Sequence, residues 1–369
     1  MKDRSPIGVS IPRLESADKV TGKLSYLEDL KMRGMLHTKV LRSPLPHARI
    51  VEVDDSRARK LAGVAAVLTQ DTLRNNSSWE SHYGPVMRDQ AIVAIDRVRY
   101  VGDMVAAVTA ERPEIAEEAI ELIEVEYQEL PAVYDPEEAL GDGAPILHEN
   151  LQMSAEGLPD LPVDLKGETN LCNHVRVEKG DVERGFAESD QIFEEVFTTP
   201  STQHVPLETP TAIAHRAGNG RMTVWSTVQN PFMIRRQMAE IFHLPLSKVR
   251  VVSLNLGGGY GAKLNVKLEP IVGVLACLTR RPVGITLSRE ETFQTITKHA
   301  ARIYLKTGTK SDGTILARRC RIYLNTGAYA EIGPRVAQKA AKGAAGPYEI
   351  PNVQIDVDLA YTNCIPAGA

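Results

Sequence analysis

A run of glycines is the feature of this sequence best suited to binding a ligand. It forms the glycine loop, Gly257-Gly258-Gly259-Tyr260-Gly261-Ala262-Lys263. Three consecutive glycines remove every Cβ, so main-chain N–H groups can approach a bulky or anionic ligand closely. We therefore expect a ligand to dock there, with Gly259 at a positive φ that a β-branched residue would not adopt. The alternative, from the loop alone, is a tight and poorly packed turn between a strand and a helix.

The loop does not match either of two known nucleotide-binding motifs. The dinucleotide fingerprint G-x-G-x-x-A needs a helix that opens at the glycines, whereas Pro270 predicts a later start. The following strand, PVGITL, also lacks an acidic residue at its end for a ribose hydroxyl. A phosphate-binding P-loop is excluded because Ala262 stands before Lys263 where glycine is required, and Leu264 follows where Ser or Thr is required.

Gln229 is a second candidate, because it lies at the end of a predicted strand and just ahead of a predicted helix. That helix should have Asn230 as its N-cap and Pro231 as its first residue. The Gln229 amide can donate a hydrogen bond to a ligand oxygen. The alternative is an ordinary loop residue whose hydrogen bonds are satisfied within the protein.

His204 and Glu208 have the i, i+4 spacing of a metal-binding or acid–base pair. That spacing aligns side chains only on a helix, and Pro206 and Pro210 argue against one, so structural roles are favoured. No Ser-His-Asp or Cys-His set can be derived from spacing. The cysteines form no C-x-x-C pair that would indicate zinc or an iron–sulfur cluster; they are Cys172, Cys277, Cys320 and Cys364. Cys277 lies in an apolar run and is expected in the core.

The elements that position these residues belong to an α+β protein. The first 140 residues alternate strands with a helix that begins at Pro113, and residues 141–175, rich in Gly, Pro, Asp and Asn, are predicted to be a linker. Residues 176–369 contain two successive strand–loop–helix units, the second with strand VRVVSLNL and a helix from Pro270 to Arg280. A hairpin follows, in which Asp312 and Gly313 should supply the positive φ angles of a tight turn.

Chain length, net charge and the lack of long apolar stretches limit which partners this protein is expected to have. A chain of 369 residues is long enough for two or three domains. The formal net charge is −4, with no long basic tract, so nucleic acid is not expected as a partner. Since no stretch is apolar enough for a signal peptide or a membrane span, we expect a cytoplasmic protein without membrane contact.

Ordered segments along nearly the whole chain resemble the molybdopterin-binding subunits of the xanthine dehydrogenase, aldehyde oxidase and carbon monoxide dehydrogenase family. KVTGKLSYLEDL, GMLHTKVLRSPLPHARI and VRYVGDMVAAVTAE are similar to the α/β hammerhead domain of that family. QHVPLETPTAIA, WSTVQNPFMIRRQMAEIF, VRVVSLNLGGGYGAK and RRPVGITLSREE are similar to its first molybdenum-cofactor-binding domain. The resemblance implies a hammerhead domain at 1–140 with an N-terminal arm, a linker at 141–175 and a cofactor-binding domain at 176–369.

In this family a molybdenum pyranopterin, either molybdopterin or its cytosine dinucleotide, is held without a direct bond from protein to metal. The protein instead makes hydrogen bonds around the oxygen and sulfur ligands of the molybdenum. The resemblance places Gln229 and the loop residues beside the cofactor; the loop residues are Gly257, Gly258, Gly259, Tyr260 and Gly261, with Tyr260 where Phe is usual. It implies hydroxylation of an aldehyde or N-heteroaromatic substrate with water as oxygen donor, and electrons passed to iron–sulfur and FAD partner subunits.

Two departures, at Leu264 and at the end of the sequence, qualify the resemblance. Leu264 replaces the acidic residue that xanthine-oxidising members carry after the loop lysine, so a purine substrate is not expected. Arg335 lies near the region where some members place a substrate-binding arginine. The sequence ends at YTNCIPAGA, before the parts that in relatives hold the second cofactor domain and the base glutamate. We interpret the chain as either one half of a subunit split between two polypeptides or a truncated gene product. In both cases we expect it to be inactive, with no catalytic residue of its own, until a complementary C-terminal polypeptide joins it. A nicotinamide-dependent dehydrogenase and a non-catalytic scaffold remain the alternatives.

Overall fold

The computed structural model describes residues 7–149 and 169–368. These ranges contain ten α-helices and two short 3-10 helices, Leu27–Asp29 and Leu246–Lys248. The α-helices are α1 Ser16–Val20, α2 Ser56–Lys60, α3 Gln70–Arg74, α4 Pro113–Glu121, α5 Pro136–Ala139, α6 Val182–Ala187, α7 Pro231–Ile241, α8 Glu269–Thr279, α9 Arg289–Phe293 and α10 Gly333–Gly343.

The same ranges contain nineteen strands. They are β1 Leu36–Arg42, β2 Ala48–Asp54, β3 Val64–Leu68, β4 His82–Tyr83, β5 Gln90–Ala91, β6 Arg97–Val98, β7 Met104–Ala110, β8 Glu124–Glu129, β9 Leu171–Lys179, β10 Gln191–Thr199, β11 Thr211–Arg216, β12 Met222–Ser226, β13 Val249–Val252, β14 Val283–Thr286, β15 Thr297–Lys298, β16 Ala300–Thr309, β17 Ile315–Gly327, β18 Asn352–Tyr361 and β19 Ala367–Gly368.

The largest sheet joins strands from both halves of the sequence. Its seven strands lie in the order β13-β12-β11-β14-β1-β7-β3, and β1 pairs parallel with β14 through Leu36 opposite Val283. Helices α7 and α8 pack on this sheet, with Ile234, Met238 and Ile271 fully buried in the shared core. The two halves therefore share one hydrophobic core, which holds the loops at the sheet edge in fixed positions.

A second sheet of five strands has the order β10-β16-β17-β18-β9. Helix α10 packs on β18 and β9. Three further sheets are small: β6-β2-β8 has three strands, and β15-β19 and β4-β5 have two each. Strand β10 is an edge strand, and all nine of its residues are exposed.

The structure confirms the predicted helices. Helix α4 begins at Pro113, α8 ends just before Arg280, and α7 begins at Pro231 with the Asn230 side chain accepting a hydrogen bond from Met233 N at 3.2 Å. These ends were predictable because proline and N-cap residues act on the backbone of their own turn.

Several other expectations need correction. Strand β13 stops at Val252, so the predicted strand VRVVSLNL is half as long in the structure. The hairpin between β16 and β17 has a positive φ at Gly313 only, because its loop spans Lys310 to Thr314 and is not a tight two-residue turn. Cys277 packs against the core but is only partly buried.

The proposed division into domains remains a prediction. Most of the predicted linker, residues 150–168, lies outside the described residues, and β9 begins within its predicted C-terminal end, at Leu171. In the ranges 7–149 and 169–368, no helix is long and apolar enough to cross a lipid bilayer.

Candidate functional site

The candidate site lies where two parallel strands end. Because β12 and β13 pair in parallel, with Trp225 opposite Val252, their carboxyl ends meet at one edge of the seven-stranded sheet. Gln229 follows β12 and the glycine loop follows β13. The two segments are joined by a backbone hydrogen bond from Gln229 N to Lys263 O at 2.8 Å. The topology therefore brings together the two places that the sequence singled out.

The Gln229 side chain supports the loop from behind. Its Oε1 accepts hydrogen bonds from Gly261 N at 3.1 Å and Lys263 N at 3.3 Å. A Cβ placed on Gly259 would lie only 2.5 Å from Gln229 Cδ, so this position requires glycine because of close approach. The expected reason, a positive φ at Gly259, is wrong: in the loop positive φ occurs at Gly258, Tyr260 and Gly261.

Glu208 supports the beginning of the loop. One carboxylate oxygen, Oε2, accepts hydrogen bonds from Gly257 N and from Lys263 Nζ, each at 2.9 Å. Lys263 Nζ also donates to Glu208 O at 2.8 Å, and its side chain is only 2% exposed. Burial lowers the pKa of Lys263, and the adjacent Glu208 carboxylate opposes that shift. These contacts support the structural role expected for Glu208, which stays a prediction.

Three consecutive N–H groups of the loop remain available. Gly257, Gly261, Ala262 and Lys263 each donate a backbone hydrogen bond within the protein. By contrast, the N–H groups of residues 258–260 have no acceptor among the residues that the structure describes. The loop is thus held by Gln229 and Glu208, while three consecutive main-chain donors remain without a partner in the described part of the chain.

Tyr260 lies at the exposed side of the loop. It is 72% exposed and has a φ of 53°, a conformation that is uncommon for an aromatic residue. Its ring lies beside Gly258, where an added Cβ would meet Tyr260 Cε2 at 3.2 Å. This large side chain therefore lies beside the loop and is mostly open to solvent.

Behind the loop lies a buried polar cluster that the sequence did not reveal. Asn265 Nδ2 donates to Glu331 Oε2 at 2.7 Å, and Lys267 forms an ion pair with the same carboxylate. Glu269 accepts hydrogen bonds from Ser226 Oγ at 2.5 Å and Lys267 N at 2.8 Å. These groups connect the start of α8 to the segment before α10. The only sequence signal was the alternation of polar and apolar residues after the glycines.

Arg335 is not brought to the loop by a direct contact. It is exposed in the first turn of α10, and no hydrogen bond or ion pair joins it to the loop within residues 7–149 and 169–368. The residue of this region that reaches the cluster behind the loop is Glu331. The role of Arg335 in substrate binding stays a prediction.

A second buried polar region, which we call the junction, joins early and late parts of the chain. Asp89 accepts hydrogen bonds from Ala330 N at 2.6 Å and Tyr361 Oη at 3.0 Å, and burial raises its pKa to about 7. Asp103 accepts from Tyr329 Oη at 2.9 Å, and burial raises its pKa to about 6. Asp103 also accepts a hydrogen bond from Arg99 N at 3.0 Å. The sequence analysis singled out neither carboxyl group, because their partners Tyr329, Ala330 and Tyr361 lie more than 200 positions away.

Comparison with known proteins identifies both parts of the chain. Residues 21–131 match the family model described as "Aldehyde oxidase and xanthine dehydrogenase, a/b hammerhead domain", and residues 165–369 match the "Molybdopterin cofactor-binding domain". Among the solved structures that are similar, the aldehyde oxidoreductase from Desulfovibrio gigas has a TM-score of 0.86 at 26% identity, over 97% of this chain and 39% of that one. Quinoline 2-oxidoreductase from Pseudomonas putida 86 has a TM-score of 0.85 at 29% identity, over 98% of this chain and 45% of that one.

Proteins that are similar in sequence lead to the same family. The "Nicotinate dehydrogenase large molybdopterin subunit" of Eubacterium barkeri is 33% identical over 100% of this chain and 82% of its own length. One subunit of a probable xanthine dehydrogenase from Bacillus subtilis is 40% identical over 96% of this chain but only 45% of its own length. The chain therefore spans less than half of that longer relative. Family models, sequence and fold together show that this chain belongs to the molybdopterin-binding subunits of the xanthine dehydrogenase and aldehyde oxidase family.

Proposed function

We propose that this chain forms the part of a molybdenum hydroxylase that holds the molybdenum pyranopterin at the glycine loop. The observation that carries the proposal is the loop geometry: Gln229 and Glu208 support the loop, and the N–H groups of 258–260 have no acceptor among the described residues. Donors fixed in this way stabilise negative charge without having to reorganise. The residues present therefore fit an anionic cofactor that needs close approach to backbone.

The cofactor, when bound, supplies the redox chemistry that oxidises an aldehyde or N-heteroaromatic substrate with oxygen taken from water. The residues of this chain would bind and orient it. The three loop N–H groups would donate to it. Since Gln229 Oε1 is used by Gly261 and Lys263, the Gln229 Nε2 group would be the one that donates toward the cofactor. Tyr260, the exposed residue of the loop, would lie where a substrate approaches the cofactor, and its ring could contact that substrate.

The nicotinamide alternative lacks the geometry it requires. A dinucleotide fingerprint places the N-terminus of a helix at the glycines, but α8 begins only at Glu269, eight residues beyond Gly261. No described residue gives specific support to a scaffold role. The family assignment favours the molybdenum enzyme over both alternatives.

We also propose that other polypeptides complete the enzyme. Strand β10 exposes apolar side chains on both of its faces: Ile192 47%, Phe193 52%, Val196 58% and Phe197 46%. An edge strand of this kind is suited to packing by further protein, since it combines unpaired backbone groups with apolar surface. A complementary C-terminal cofactor polypeptide would pack there, and iron–sulfur and FAD subunits would accept the electrons.

The first experiment measures assembly. The 369-residue chain, expressed where the cofactor is made, should contain little molybdenum alone and near-stoichiometric molybdenum with the complementary polypeptide. Replacing Phe193 and Phe197 by Ser should prevent that gain, whereas replacement of the exposed Leu278 should not. Full molybdenum content in the isolated chain would contradict the proposed assembly.

The second experiment tests Gln229 in the assembled enzyme. Gln229→Glu keeps an oxygen for Gly261 N and Lys263 N but loses the amide donor. It should retain molybdenum and lower turnover by about a hundred- to thousand-fold, the usual loss for one preorganised donor. Gln128→Ala, at an exposed glutamine on β8, should change neither quantity. Retention of both molybdenum and full turnover in Gln229→Glu would show that Gln229 only supports the loop.

A further inference from the structure

Charge is distributed unevenly along this chain. Residues 209–289 contain eleven lysines and arginines but only two acidic residues, a formal charge of +9 in a chain whose total is −4. Both acids are engaged elsewhere: Glu240 lies 3.6 Å from Arg88, and Glu269 accepts a hydrogen bond from Ser226 behind the glycine loop. Lys263, Lys267 and Arg281 form ion pairs with carboxylates outside this range. The other basic groups leave this segment, which we call the lobe, with an excess of positive charge.

An open recess of about 760 Å³ lies on this lobe, between the β11–β12 turn and the last turn of α8. The glycine loop lies near the opposite end of the same helix. Helix α8 has eleven residues, which at 1.5 Å per residue separates its ends by about 16 Å. The recess is thus distinct from the candidate cofactor site.

The polar side chains that line the recess are basic or neutral. They are His215, Arg216, Arg280 and Cys277, and no carboxylate among the described residues lines it. Arg216 Nη1 donates to Cys277 Sγ at 3.4 Å, and neither arginine forms an ion pair in the part of the chain that the structure describes. The adjacent Arg281, in contrast, pairs with Glu111 at 3.2 Å. Two guanidinium groups without carboxylate partners therefore face the same concave space.

We propose that this recess binds a phosphate-bearing small molecule of nucleotide size. Guanidinium groups match phosphate oxygens through paired N–H donors, and they are less strongly hydrated than ammonium groups. Small-molecule sites usually have volumes of about 300–1,000 Å³, which includes this recess. The rest of its wall is formed by glycine and alanine, among them Gly218, Gly220 and Ala276, which leave room for a flat apolar group beside the phosphates.

Cys277 provides a direct test because its thiol lies in the wall. In a Cys364→Ser variant of the full chain, Cys277 is the only remaining cysteine that is not buried. Its modification by a maleimide should slow about ten-fold in ADP at ten times the Kd, as simple occupancy requires. Pyrophosphate should also protect, inorganic phosphate less, and adenosine or sodium chloride of equal ionic strength should not. Equal protection by chloride or by adenosine would overturn the proposal.

Arg280→Ala should abolish protection by ADP and pyrophosphate. Arg221→Ala provides the matched control, since Arg221 is an exposed arginine of the same lobe that does not line the recess. Titration calorimetry with ADP on the same two variants gives a second measure that does not depend on thiol reactivity. Protection or heat that survives unchanged in Arg280→Ala, or that is lost equally in Arg221→Ala, would overturn the proposal.

Discussion

The glycine loop and the junction are built from the same kind of hydrogen bond, but the loop keeps donors free for a ligand and the junction encloses its polar groups. In both, a side-chain oxygen accepts hydrogen bonds from distant donors. Gln229 and Glu208 do so at the loop, where three N–H groups have no acceptor among the described residues and Tyr260 is 72% exposed. Asp89 and Asp103 do so in the closed interior of the junction. A binding loop must be fixed in shape while its donors remain free, whereas a junction gains most when every group is enclosed.

The largest expected effect tests the support of the loop. Glu208→Ala should lower the free energy of unfolding by about 3–5 kcal/mol, because the buried Lys263 ammonium loses its carboxylate partner and keeps only the main-chain oxygen of residue 208. Urea unfolding followed by the fluorescence of Trp79 and Trp225 measures this loss. The double variant with Lys263→Met should recover most of it. A loss below about 1 kcal/mol in the single variant would contradict this prediction, because the Glu208–Lys263 pair would then contribute no more than an ordinary surface ion pair.

At the junction, the expected effect depends on pH. Burial raises the pKa of Asp89 from 3.8 to about 7, so the native state keeps a proton that the unfolded state has released. The stability that this group contributes is therefore largest at low pH and is lost as pH rises from about 4 to 7. Relative to Asp89→Asn, the wild-type chain should lose about 2 kcal/mol between pH 5 and pH 6.5.

Urea midpoints of both proteins at the same pH values measure that difference. Buried histidines, such as His299 with a pKa lowered by burial to about 4, contribute equally to both proteins and cancel. Parallel pH profiles for wild type and Asp89→Asn would show that Asp89 has an ordinary pKa.

A smaller effect is expected where the loop and Gln229 touch. In Gly259→Ala the new Cβ would lie 2.5 Å from Gln229 Cδ, and such overpacking usually costs about 1–3 kcal/mol. Hydrogen exchange should become faster at Gly261 and Lys263, whose N–H groups bond to Gln229. Gly343→Ala is the control, since an added Cβ there meets no atom within 4 Å. Unchanged exchange in Gly259→Ala would mean that the loop can move away at little cost.

The smallest expected changes in the free energy of unfolding come from replacing two tyrosines, one in the loop and one in the junction, by phenylalanine. Tyr260→Phe should change the free energy of unfolding by less than about 0.5 kcal/mol, because this side chain is mostly exposed. Tyr329→Phe should lower it by about 1 kcal/mol, because Tyr329 Oη donates to the buried Asp103. Thermal unfolding of both variants checks the order. The reverse order would remove the distinction between an open loop and a closed junction.

Local signals in the sequence predicted the elements around the site. The Asn230–Pro231 pair placed the start of α7, and Pro270 placed the start of α8 to within one residue. The glycines marked the loop, and the order of the motifs indicated the family. These predictions succeeded because caps, prolines and glycines act on backbone torsion angles within a few residues of themselves.

What the sequence determined by itself was therefore the order of the strands, helices and loop around the site, and with it the family. The tertiary structure alone decided which atoms meet: Gln229 Oε1 with Gly261 N, Glu208 with Lys263, and Asp89 with Ala330 N, 241 residues away. It also brought Arg216 and Arg280 to one recess across 64 positions of the chain. The physical reason is that a side-chain acceptor has no preference for a particular N–H group in the local pattern. Its partner is chosen when packing of the sheets and helices leaves that donor buried and without water.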